Sequence, residues 1–112
     1  MPGNFLISLD FELFWGMRDK CGIGDYGGNI LGVREAIPAM LELFRRYQVR
    51  ATWAAVGMLL FDSKKELKEY LPARRPRYRE AYLSPYGSLD DIGENERSDP
   101  YHFGLSLVRK IQ

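Results

Sequence analysis

The run Phe5-Leu-Ile-Ser-Leu9 is nearly continuous apolar sequence and stops abruptly at Asp10. It predicts a strand buried on both faces, as in a parallel sheet. Across residues 33–48 the period lengthens. Val33, Ile37, Met40, Leu41 and Phe44 recur at helical spacing, opposite Arg34, Glu35, Glu42, Arg45 and Arg46. Pro38 interrupts this pattern, so the regular helix is expected to begin near Ile37, where proline is tolerated. Residues 50–56, Arg-Ala-Thr-Trp-Ala-Ala-Val, read as a second buried strand ended by Gly57. A strand, a helix and a strand in this order form one βαβ unit, with parallel strands and a right-handed crossover. The class is α/β.

The connecting segments carry their own signals. Six glycines lie between positions 16 and 32, which predicts a loop whose backbone takes unusual angles or lies close to something. A short helix is expected over 63–71, with Ser63 as N-cap and Glu66 in the capping-box position. Residues 72–98, with Pro72, Pro76 and Pro85, read as a long irregular excursion. Asp99-Pro100 is expected to open a last helix over 99–112, Asp99 as N-cap and Pro100 at its first position, with Leu107, Val108 and Ile111 as the apolar stripe. Two parallel strands leave faces and edges that need cover. The expectation is therefore a single partial domain, 1–112, forming the opening portion of a larger α/β fold.

Composition narrows the function classes. The chain has 112 residues, 46% of them hydrophobic and 28% charged, which suits one soluble domain. Sixteen basic and fifteen acidic side chains leave a formal charge of +1. That balance gives no general reason to expect nucleic acid or an anionic membrane as partner. The single cysteine, Cys21, permits neither an internal disulfide nor a cysteine-built metal site and fits a reducing compartment. The apolar run before Asp10 is too short for a signal sequence or a membrane span. A cytoplasmic protein is expected.

Asp10 and Glu12 are the principal site candidates. Positions i and i+2 of an extended backbone share a face, and the carboxyl end of a parallel strand is where α/β folds place ligands. Paired carboxylates suit a metal ligand with a general base, or the acid and base of glycoside hydrolysis. The plainer alternative is a solvated strand end. Trp15 and Trp53 flank the two strand ends, where a sugar could stack or where each could be core. His102 is more often packed than liganding in such a position. Four arginines among residues 74–79 could grip an anionic polymer or form a solvated surface. Cys21 has no evident activating neighbour.

Phe5-Leu-Ile-Ser-Leu-Asp-Phe-Glu12, the loop Tyr26-Gly-Gly-Asn29, and Ala51-Thr-Trp53 followed by Gly57 together resemble the start of the polysaccharide deacetylase family. The likeness is clearest over residues 4–60. It implies a distorted, incomplete β/α barrel and a metal-dependent hydrolase that removes acetyl groups from an N-acetylated carbohydrate, or cleaves a related linear amide. Asp10 matches the aspartate that acts as general base. The family's second aspartate falls on Phe11, and on the Asp-x-Glu pattern of a subgroup Glu12 takes the metal-ligand role, with zinc as the implied metal. Trp15 and Trp53 are tentative carbohydrate contacts. The family's His-x-x-x-His ligands have no counterpart, since the chain contains one histidine, so this chain alone is expected to hold metal weakly and turn over poorly. A metal-free glycoside hydrolase using Asp10 and Glu12, or a non-catalytic binding or assembly module, are the alternatives. The residues do not specify the oligomeric state.

Overall fold

The computed structural model describes residues 1–112. Two short strands, β1 (Ser8–Phe11) and β2 (Thr52–Ala55), pair in parallel with Ser8 opposite Thr52 and Phe11 opposite Ala55. The helix between them, α1, spans Ile23–Tyr47. The βαβ order and the parallel pairing match the sequence reading, and the sheet has these two strands alone. The fold is therefore a small α/β arrangement, and its two strands close no barrel.

Both strands are shorter than the apolar runs suggest, and neither is buried on both faces. Leu9, Phe11 and Trp53 turn inward, whereas Ser8, Asp10, Thr52 and Ala54 are exposed. Phe5 and Leu6, 89% and 87% exposed, precede β1 instead of forming it. A two-sided burial pattern needs layers on both faces, and here only one face is covered.

Helix α1 starts ten residues earlier than the periodicity from Val33 indicates, and it absorbs four glycines of the expected loop (Gly24, Gly27, Gly28 and Gly32). Glycine is a weak helix former, so packing must supply the reason at the buried one. A Cβ on Gly27 would stand 3.0 Å from the Tyr101 ring, so the helix approaches that ring as only glycine allows. Pro38 therefore lies inside the helix rather than in its first turn, where it removes the N–H that would bond the Arg34 carbonyl. The far end closes on Gln48 at φ 55°. Its N–H reaches the Arg45 carbonyl, and the Val49 N–H reaches that of Phe44 at 2.8 Å, a Schellman ending made without glycine.

After β2 come a 3-10 turn, Gly57–Leu60, and helix α2, Lys64–Glu69. Ser63 caps α2 as expected, accepting from the Glu66 N–H at 3.2 Å. The Glu66 carboxylate reaches back one residue further than a capping box requires, to the Asp62 N–H at 2.7 Å. Residues 72–98 are irregular apart from 3-10 turns at Ala81–Leu83 and Pro85–Ser88.

The last helix, α3, spans Leu105–Ile111 with Gly104 at its N-cap. It does not begin at Asp99. The Asp99 side chain does cap, accepting from the N–H groups of Tyr101 and His102 at 3.2 and 3.3 Å. The turn it caps, residues 100–102, ends before α3 begins, and Phe103 between the two is fully buried.

That centre is Phe103, Leu59 and Leu67, all fully buried. Phe11, Leu13, Phe14 and Trp15 join it from the carboxyl end of β1, Ile30 and Ile37 from α1, Leu107 and Val108 from α3. The core thus gathers beyond the carboxyl ends of the strands, while their amino ends carry exposed Phe5, Leu6, Tyr47 and Val49. No helix is long and apolar enough to cross a membrane. Truncating Phe103→Ala should cost ~3–5 kcal/mol through lost burial and the cavity left behind, read as a fall in the urea midpoint at unchanged slope.

Candidate functional site

The path out of β1 shapes the site. Glu12, at φ −125° and ψ −23°, has already left the strand, and then Leu13 adopts φ 49°, a left-handed conformation that costs an L-residue of its size ~1–2 kcal/mol. Burial of the Leu13 side chain and a 3.0 Å bond from the Phe14 N–H to the Tyr101 carbonyl hold it there. The chain turns sharply into the 3-10 turn Leu13–Gly16, which brings Gly16 beneath the Glu12 side chain. A Cβ on Gly16 would lie 2.7 Å from Glu12 Cδ and 2.9 Å from its Cβ. Glycine is required at 16 by where Glu12 sits.

Asp10 and Glu12 are both exposed, take part in no ion pair, and line one cleft of about 310 Å³. Its walls are Leu9 and Phe11 on β1, Trp53 on β2, and the α1 stripe that runs from Tyr26 through Val33 to Met40. A mostly apolar cleft with few polar groups is the usual form of a small-molecule site, and this volume lies at the small end of the range. Tyr26 and Asn29 reach the cleft because α1 extends back to Ile23. Their spacing with Ile30, Val33 and Ile37 continues the helical period, and that is the signal for them in the sequence.

The remaining sequence candidates separate. Trp53 is half-buried in the cleft wall. Trp15 belongs to the core: it is buried, and its Nε1–H donates to the His102 carbonyl at 2.8 Å. The structure therefore brings Asp10, Glu12 and Trp53 together and leaves Trp15 out, because the Leu13 turn swings it away from the cleft and under the 99–104 loop. Cys21 is half-buried, its Sγ 3.8 Å from the Met17 carbonyl. No set of three or more histidine, cysteine or carboxylate side chains converges as a metal site. Two carboxylates alone do not fit zinc, whose protein sites supply three or four donors with nitrogen or sulfur among them.

His102 lies in a second constellation. It is buried, with Nδ1 donating to Asp99 Oδ2 at 2.8 Å, and the edges of Phe14 and Trp15 meet its ring at centroid distances of 5.4 and 5.1 Å. Asp99 Oδ2 also accepts from the Gly93 N–H at 2.8 Å. Burial pushes the Asp99 carboxyl up, but the bonds from His102 and Gly93 outweigh it and hold the group below the ordinary aspartate range. Nearby, Arg34 reaches from α1 to the carbonyls of Pro100 and Phe103 at 2.8 and 2.7 Å and to Glu96 at 2.5 Å. Glu96 in turn accepts from the backbone and hydroxyl of Ser106. The Arg34 Nε is buried without a partner. These groups lock the 93–106 segment against α1 and the exit of β1, which makes His102 a structural residue here.

No family model matches the chain, and neither the curated proteins nor the solved structures searched contain a match.

A depressed carboxylate stabilises the fold above the ordinary carboxylate range, and that contribution disappears as pH falls through the folded value. Asp99→Asn should therefore cost ~2 kcal/mol at neutral pH, as the loss of bonds to a charged acceptor. The difference from wild type should shrink below about pH 4. Urea midpoints of both proteins between neutral and acidic pH check this, and parallel profiles would contradict it.

Proposed function

We propose that this chain carries the carboxylate part of the site of a hydrolase that removes acetyl groups from N-acetylated carbohydrate, or opens a related linear amide. The observation that supports this reading is the cleft itself: Asp10 and Glu12 stand at the carboxyl end of a parallel strand, at a cavity walled by Tyr26 and Trp53. In this reading Asp10 is the general base. It takes part in no ion pair, so its oxygens are free to accept the proton of an attacking water as the carbonyl carbon is approached. Trp53 and Tyr26 offer flat apolar surfaces to the sugar or its acyl group.

The family resemblance brings zinc with Glu12 as a ligand. The donors this chain offers are too few to hold it firmly, so the assignment to Glu12 stands only with nitrogen donors beyond the single histidine. When bound, such a metal supplies Lewis acidity and an acidified water. Placement in the cytoplasm belongs to the same proposal and rests on the lone cysteine.

Calorimetric titration of the chain with zinc should give weak, non-stoichiometric heats that vanish in the double variant D10N/E12Q. Tight one-to-one binding would refute the incomplete ligand set. Acetate release from an N-acetylglucosamine oligomer, assayed with zinc in excess, should be slow, and either D10N or a chelator should bring it to the blank rate. Cleavage between sugars that survives the chelator would point to a glycosidase, and release unaffected by D10N would overturn the assignment of the base.

A further inference from the structure

The arginine run takes no part in the cleft, yet its placement is unusual. Arg74, Arg75, Arg77 and Arg79 fall within six positions of a stretch that is exposed from residue 72 to residue 83. None of the four forms an ion pair, and Glu80 is the one acid in that stretch. For a chain with a net charge of +1, this is a local concentration of unspent positive charge. Exposed tyrosines interleave with it, Tyr78 at 41% and Tyr82 at 64%. The Arg75 guanidinium lies 5.0 Å from the centre of the Tyr86 ring, which fixes one end of the run without neutralising it.

The other end is moored to the site. Arg18 donates to the Tyr82 carbonyl at 2.9 Å and to that of Leu83. Its sequence neighbour Met17 lines the same cleft as Asp10 and Glu12. Residues 82–83 are thereby tied to the segment that carries Met17 to the cleft wall.

We propose that residues 74–83 form a binding arm for an acidic polysaccharide, one that carries carboxylates on its sugars, and that this is the class of glycan presented to the cleft. The carbohydrate nature of the partner rests on the hydrolase reading; the requirement for anionic groups rests on the arm alone. Guanidinium groups take carboxylates in paired hydrogen bonds, and tyrosine faces present an apolar body with a polar tip to a sugar ring. Charge density selects against a nucleic acid strand. Such a strand carries a phosphate at every nucleotide, more charge along its length than four arginines with Glu80 among them can answer. A glycan charged at only some of its sugars matches their number more closely.

The test is fluorescence anisotropy of the full chain with a labelled hyaluronan oligosaccharide, whose carboxylates stand on alternate sugars, beside a neutral N-acetylglucosamine oligomer and an oligo-dT of equal length. The acidic glycan should bind best, more weakly as salt rises. It should lose about tenfold or more in affinity when all four arginines become glutamine (R74Q/R75Q/R77Q/R79Q), a surface change whose folding is checked by circular dichroism. Equal binding of the neutral oligomer, or unchanged binding by the quadruple variant, overturns the arm. Tighter binding of oligo-dT overturns it in favour of nucleic acid. Acetate release is not read in this titration, so failure of the hydrolase reading and failure of the arm are distinguishable.

Discussion

The Asp99 carboxylate holds this molecule together at the point where its parts would otherwise separate. Its two oxygens accept from the N–H groups of Gly93, Tyr101 and His102 and from the His102 ring. A buried carboxylate is costly unless its lone pairs are met, and here four donors meet them. The loop so fixed gives its Tyr101 and His102 carbonyls to Phe14 and Trp15. The exit of β1, the left-handed Leu13 and hence the position of Glu12 all depend on that loop. The candidate site is shaped by a carboxylate that takes no part in it.

Much of this is legible in residues 5–66. Two apolar runs around a helical period specify a βαβ unit because few other arrangements bury them, and the Ser63–Glu66 pair announces its cap by local chemistry. The departures share one cause. Apolar runs report what a strand is able to bury, not what covers it, so Phe5 and Leu6 read as buried although no layer lies over them. Glycine density in 16–32 suggests a loop, because propensity is local and the close approach of Tyr101 to Gly27 is not. Asp99 carries a true cap signal, but the sequence does not show that the capped turn stops at His102 and that α3 starts only at Leu105.

The site follows the same division. Asp10, Glu12 and Trp53 are found from strand ends and spacing, which are local. Trp15 reads as their neighbour because sequence distance suggests proximity, yet one left-handed residue, Leu13, sends it to the other side of the chain. Tyr26 and Asn29 are hidden by the expected loop. His102, alone and near a proline, gives no hint in the sequence of the carboxylate that holds it.

The uneven core carries a further consequence. Apolar burial and side-chain hydrogen bonds concentrate around Phe103, Leu59 and Asp99, while the entries to both strands are bare. Stability is then graded along the sheet. The molecule should open by fraying from the uncovered entries at Leu6 and Val49 before its carboxyl ends yield. Backbone amides around residues 99–108 would exchange with deuterium only in global unfolding, and those at the entry of β2 through small local openings. The end bearing the acids stays fixed while the opposite end breathes, so thermal motion reaches the cleft last.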